Sequence, residues 1–126
     1  MSKFMFVVRG GPIIPQRMMP DELQSHLRKW SDWVGTLAKD GCHIGGSPLE
    51  NRGRTIHGAE RTVFEGPQMG LKDVITGNVI VEAPSLEAAT EMAKACPVFE
   101  IDGSVEVWPL PAEAVAAPMA RASAAE

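Results

Sequence analysis

His26 is the side chain of this sequence with the clearest capacity for chemistry. It lies one helical turn after Leu23 and one turn before Trp30, so in a helix it sits at the edge of an apolar stripe. A half-buried imidazole at such an edge can accept and release a proton near neutral pH, which suits a general base or a ligand contact. The position also suits a structural histidine that bonds a backbone carbonyl, and both interpretations stay open.

Cys96 is a second candidate for chemistry. If it meets His26, the imidazole would lower the pKa of the thiol and favour a nucleophilic pair. However, Cys96 comes near the end of a predicted helix, where the helix dipole disfavours a thiolate, so an inert buried cysteine is the alternative. Cys42 is the other cysteine, far away in the chain. Since the N-terminus does not resemble a signal peptide, we expect reduced thiols and a cytoplasmic protein.

Two further residues are candidates for contact with a bound molecule. Trp30 faces roughly the same way as Trp33 and can stack on a ligand or pack in the core. Gly46, next to Gly45, permits close approach of a ligand to the backbone, although a β-bulge explains the pair equally well.

Several classes of function are excluded by what the chain lacks. It has no glycine-rich phosphate loop, no Cys-x-x-Cys pair and no two histidines three or four residues apart, so neither a cofactor nor a metal is predicted. The 12 Lys and Arg against 16 Asp and Glu give a net charge of -4 without a concentrated basic face, which argues against nucleic acid as a partner. No apolar run approaches the roughly 20 residues of a membrane span.

The elements that must position these residues follow an α+β order. With 126 residues, one domain is expected. Apolar residues at steps of three and four predict a helix over residues 20–40. A second helix is predicted between its cap at Ser85 and Cys96-Pro97. Strands and a hairpin are predicted around these helices, over residues 3–9, 42–49, 55–64, 78–82 and 104–108.

This order predicts a ferredoxin-like antiparallel sheet with both helices on one face. Residues 3–9 are apolar on both sides, which predicts a strand in the centre of the sheet. The run Val79-Ile80-Val81 is also apolar on both sides, so the second face of the sheet needs a cover as well. The simplest cover is the same face of a second copy, and we therefore expect a homodimer. A charge at Val79 or Val81, whichever faces the partner, should disrupt it.

The end of the chain has a different composition from the rest. Half of the final 16 residues are Ala, and they lack the apolar stripe that packing requires. We therefore expect a domain over residues 1–110 and a flexible tail over residues 111–126.

A loop in the middle of the chain resembles the signature of a known family. Residues 65–73 are similar to the motif Asp-Gly-Pro-Phe-x-Glu-x-Lys-Glu of the DGPF branch of the YCII-related family. The matching positions are Gly66, Pro67 and Lys72, whereas Gln68 replaces the aromatic residue and Gly70 replaces a carboxylate. The resemblance extends over residues 3–110, and it implies a bacterial protein with a dimeric α/β barrel formed by two paired sheets.

The wider YCII family is similar in a second respect. Members of this family look similar in carrying a His on the first helix and an Asp just before the Pro that ends the second helix. These two residues are proposed to act as a dyad. His26 matches the first position, but Cys96 stands before Pro97 where the Asp is expected. This departure removes the carboxylate that would orient the imidazole. The family loop also has a Glu and a Lys that could act together on a ligand, and of these only Lys72 remains here. Lys72 is therefore either a contact for a polar or anionic ligand or a solvated surface charge.

Three functions are compatible with these patterns. The leading hypothesis is a homodimer that binds a small polar or anionic molecule in a cleft between sheet and helices, with His26 and Lys72 as polar contacts. One alternative, implied by the resemblance, is an accessory or regulatory protein linked to transcription initiation that acts through protein contacts. Another is a lyase- or isomerase-type enzyme with His26 as general base. A deep pocket lined by His26 separates the first and third from the second.

Overall fold

The computed structural model of the chain describes residues 1–10, 19–49, 52–66 and 74–112. Within these ranges, six strands, two α-helices and one 3-10 helix follow one another. In order they are β1 (Ser2–Arg9), α1 (Pro20–Lys39), β2 (His43–Pro48), β3 (Arg54–His57), β4 (Thr62–Glu65), β5 (Ile75–Ala83), α2 (Leu86–Ala93), the 3-10 helix (Pro97–Ile101) and β6 (Ser104–Pro109).

Four of the strands form an antiparallel sheet in the order β2-β5-β1-β6, and β3 and β4 form a separate hairpin. This is the predicted α+β class and the ferredoxin-like arrangement. The prediction that β1 is central is confirmed, because β1 pairs with β5 on one side and with β6 on the other. Alternate residues of β1 are buried under the helices, namely Phe4, Phe6 and Val8.

Helix α1 begins and ends where the sequence predicts. Pro20 occupies its first position, acidic residues fill its first turn, and Gly41, with φ 75°, follows its end. Its apolar stripe packs on the sheet through Trp33, which stacks on Phe6 with 6.1 Å between ring centroids. The indole of Trp33 also donates a hydrogen bond to the carbonyl of Met92 (3.1 Å). One side chain thus joins α1 to both β1 and α2.

The segment after β5 differs from the prediction at its end. Ser85 caps α2 as predicted, since its Oγ accepts a hydrogen bond from the backbone N–H of Ala88 (3.1 Å). The helix ends at Ala93, before Cys96, and a 3-10 helix then begins at Pro97. Val98 anchors this short helix, because it is fully buried in the core. This short helix was not predicted from the sequence, and it carries part of the candidate site.

The face of the sheet away from the helices carries an apolar row. Met5 pairs with Ile80 on one side and with Trp108 on the other. Met5 and Ile80 are half-buried, and Trp108 is 56% exposed. By contrast, Val79 and Val81 are buried under the helices. The expectation that one of those two valines faces a partner is therefore wrong. The side chains of β5 that point away from the helices are those of the alternate residues, such as Ile80.

No helix in the described ranges combines the length and the apolarity that crossing a membrane requires.

Candidate functional site

His26 lies on the second turn of α1 and is 4% exposed. The indole Nε1 of Trp30, one turn further on, donates a hydrogen bond to His26 Nε2 (2.8 Å). The two rings meet edge to face, with 6.2 Å between centroids, and Trp30 meets Trp33 in the same way at 5.7 Å. Helical spacing and aromatic packing therefore hold the imidazole in one orientation.

The other imidazole nitrogen faces a carboxylate. His26 Nδ1 is buried, forms no hydrogen bond with the described residues, and lies 3.7 Å from Glu100 Oε2 on the 3-10 helix. That separation is too long for a hydrogen bond. Lys29 Nζ donates to Glu100 Oε1 (2.7 Å). This bond is the main cause that lowers the pKa of the Glu100 carboxyl below its usual value, with His26 a lesser one.

Glu100 is a site residue that was not predicted from the sequence. The family resemblance implies an orienting carboxylate at position 96, where this chain has Cys96. The structure instead supplies one from Glu100. Pro97 favours the first position of a helical turn, but nothing in the sequence places Glu100 beside His26, because the contact joins two segments that are distant in the chain.

Two clefts flank the ion pair between Lys29 and Glu100, because both residues line each of them. The His26 cleft, of about 530 Å³, lies between α1 and the 3-10 helix and is lined by Asp21, Glu22, Ser25, His26, Lys29, Glu100 and Ile101. The Cys96 cleft, of about 510 Å³, has a more apolar lining that includes Trp33, Cys96, Pro97 and Phe99. Among the described residues, the His26 cleft is lined only by residues of α1 and the 3-10 helix, so the predicted cleft between sheet and helices is not the one observed.

Cys96 does not form a pair with His26. It is 3% exposed and lines the cleft on the other side of the ion pair. No hydrogen bond joins it to His26, although the structure describes both residues. Burial raises the pKa of the Cys96 thiol to about 11, against a smaller lowering by the backbone at Val98. At neutral pH the group is therefore a thiol, and the alternative of an inert buried cysteine fits it better than that of a nucleophile.

We expect native protein to react with iodoacetamide at Cys42 and not at Cys96 near neutral pH. Cys42 is half-buried, whereas Cys96 is buried and its raised pKa leaves very little thiolate. Peptide mapping by mass spectrometry measures both sites, and unfolding in denaturant provides the control in which both react. Equal labelling of both cysteines in the folded protein would contradict the assignment.

The other predicted contacts fall in different places. Trp30 contacts His26 directly. Gly46 lines neither cleft, and its φ of 130° and close packing on β5 explain the glycine, since a Cβ would lie 2.7 Å from Val79 Cα and closer still to Asn78 O. Lys72 and the rest of the loop at 67–73 lie outside the described residues. Within the described ranges, no cluster of three or more His, Cys, Asp or Glu could hold a metal ion.

Comparison with known proteins identifies the family. No curated protein matches the chain. Among solved structures, it is similar to a 5-chloro-2-hydroxyhydroquinone dehydrochlorinase from Burkholderia phenoliruptrix in complex with 2,5-dihydroxybenzoquinone, with 17% identity, a TM-score of 0.48, and coverage of 86% of this chain and 93% of that chain. The family model of the YCII-related domain matches residues 5–111. The chain therefore belongs to the YCII-related domain family.

Proposed function

We propose that this protein is a homodimer that binds a small polar molecule in the His26 cleft. The observation that carries the proposal is the state of His26 Nδ1, which is buried and has no hydrogen-bond partner among the described residues. A buried polar atom without a partner lowers stability by about 1–3 kcal/mol, and most such atoms in proteins are paired. A ligand that forms this hydrogen bond recovers that free energy, which supports binding at this position.

The charges of the cleft favour a polar ligand over an anionic one. Among its described lining residues, Asp21, Glu22 and Glu100 contribute three carboxylates and Lys29 contributes one ammonium group. The resulting negative potential opposes the entry of an anion. Lys72 stays a proposed second contact.

The homodimer is proposed from the face of the sheet opposite the helices. The row Ile80, Met5 and Trp108 continues across three neighbouring strands, and Val7 adds to it on β1. Arg9 and Glu106 form an ion pair (3.0 Å) at its border. An apolar centre with a polar border is the usual anatomy of a protein interface, and a second copy presents the same surface in return.

The second candidate is a lyase- or isomerase-type enzyme that uses His26 as general base. Glu100 favours it, because a carboxylate beside one imidazole nitrogen orients the ring and stabilises its cation. Against it, the indole of Trp30 donates to Nε2, so the one proton of a neutral imidazole is on Nδ1. Nε2 is then the nitrogen that would have to take a proton from a substrate, and its lone pair is occupied. Binding without turnover is therefore the function that the geometry supports best.

We expect His26→Asn to abolish binding in the cleft at a small cost in stability. The variant loses the contact atom for the ligand and leaves the Trp30 N–H without its partner, which should lower the free energy of unfolding by about 1 kcal/mol. Binding is measured by ligand-observed NMR with a fragment library, and stability by thermal melting. His57→Asn, on the exposed hairpin, is the matched control and should bind like the wild type. Unchanged binding by His26→Asn would refute the proposal.

A further inference from the structure

The hydrogen bond between Trp30 and His26 determines where the imidazole carries its proton. An indole N–H can only donate, so His26 Nε2 must accept through its lone pair. A neutral imidazole has one N–H, which must then be on Nδ1. A doubly protonated ring would have N–H groups on both nitrogens and would lose the bond with Trp30.

This arrangement gives His26 a definite role toward a ligand. The lone pair of Nε2 is occupied, so the ring cannot take a proton there while the Trp30 bond persists. The His26 side chain is only 4% exposed, and its Nδ1–H group has no hydrogen-bond partner among the described residues. Glu100 Oε2, at 3.7 Å, marks where an acceptor oxygen of a ligand would approach. Glu100 is about half exposed and its pair with Lys29 is a surface pair, so its carboxylate can move aside at little cost.

We propose that Trp30 locks His26 in the tautomer protonated at Nδ1, so that the cleft binds ligands that present an acceptor oxygen to this N–H, and that the carboxylates of the cleft favour uncharged ligands of this kind over anionic ones. The selection of ligands rests on the proposed function of the His26 cleft. The carboxylates of Asp21 and Glu22 line the same cleft, so hydroxyl or amide N–H donors on the ligand would complete the complementarity. Trp30 is in this proposal a positioning residue that acts through His26.

The tautomer can be measured without any ligand. In protein labelled with ¹⁵N, long-range ¹H–¹⁵N spectra distinguish a protonated ring nitrogen from one with a free lone pair. We expect His26 in the wild type to show a protonated Nδ1 and an unprotonated Nε2. Trp30→Phe retains an aromatic ring but removes the donor, and should bring in the Nε2–H tautomer. The matched control is Trp33→Phe, because the Trp33 indole bonds the Met92 carbonyl instead and the His26 pattern should stay unchanged.

A His26 signal protonated at Nε2 in the wild type, or a pattern that Trp30→Phe leaves unaltered, would overturn the lock. The thermal melt of Trp30→Phe checks that the variant is folded. If it is unfolded, the wild-type spectrum alone decides, because the two tautomers differ in that spectrum.

The preference for ligands is tested with glycolamide and glycolate, which share a skeleton and differ in charge. We expect glycolamide to shift the His26 ring signals and glycolate to shift them at least tenfold less at equal concentration. A larger shift with glycolate would refute the selection of uncharged ligands while leaving a binding cleft in place. If neither these probes nor any member of the fragment library perturbs His26, the proposed function fails, whereas the tautomer result stands by itself.

Discussion

Ile80→Asp is expected to convert the proposed homodimer into a folded monomer. Ile80 belongs to the apolar row on the open face of the sheet, where it pairs with Met5, the middle residue of that row. In a dimer, an aspartate there would be buried without a partner, at a cost of about 3–5 kcal/mol. That cost corresponds to a loss of affinity of about a hundredfold or more. In the monomer the same side chain reaches water, so the domain should stay folded.

Light scattering and analytical ultracentrifugation at micromolar concentration measure the mass, and circular dichroism confirms folding. Leu86→Asp is the matched control, because Leu86 is exposed at the start of α2 on the opposite side of the sheet. A carboxylate suits the first turn of a helix, and this variant should keep the mass of the wild type. A monomeric wild type, or a dimeric Ile80→Asp, would show that this face is not the interface.

Gly46→Ala should lower the stability of the fold by about 2–5 kcal/mol, through backbone strain and overlap together. Gly46 has a φ of 130°, which residues with a Cβ rarely adopt, and an added Cβ would lie 2.7 Å from Val79 Cα on the neighbouring strand. Since the overlap is with backbone, a rotamer change cannot relieve it. β2 would have to move away from β5.

Thermal unfolding measures this effect, and we expect the melting temperature to fall by about 10 °C or more. Gly45→Ala is the control, because a Cβ there meets nothing within 4 Å, and it should change stability by less than about 1 kcal/mol. If Gly46→Ala melted like the wild type, the steric explanation for this glycine would be wrong. The alternative explanation, that Gly46 permits close approach of a ligand, would then regain support.

The helices and the order of the strands could be predicted from the sequence because their signals are local. Helix α1 was predicted over residues 20–40 and is observed at Pro20–Lys39. Its proline, its acidic first turn, its apolar stripe and Gly41 all lie within the segment itself. The cap at Ser85 is local in the same way. The 3-10 helix was missed because five residues are too few to establish a periodicity. Its place in the fold depends on the burial of Val98 in the core, which is a tertiary contact.

The sequence by itself determined that β1 is a central strand, that His26 lies at the edge of an apolar stripe, and that the chain has the order of a YCII-related domain. Tertiary structure decided which parity of β5 faces the helices, since Val79 and Ile80 are equally apolar and hydropathy alone cannot rank them. It also decided the surroundings of His26. Trp30 follows from helical spacing, but Glu100 approaches only because the 3-10 helix packs against α1, and contacts between segments distant in the chain leave no periodic signal in either one.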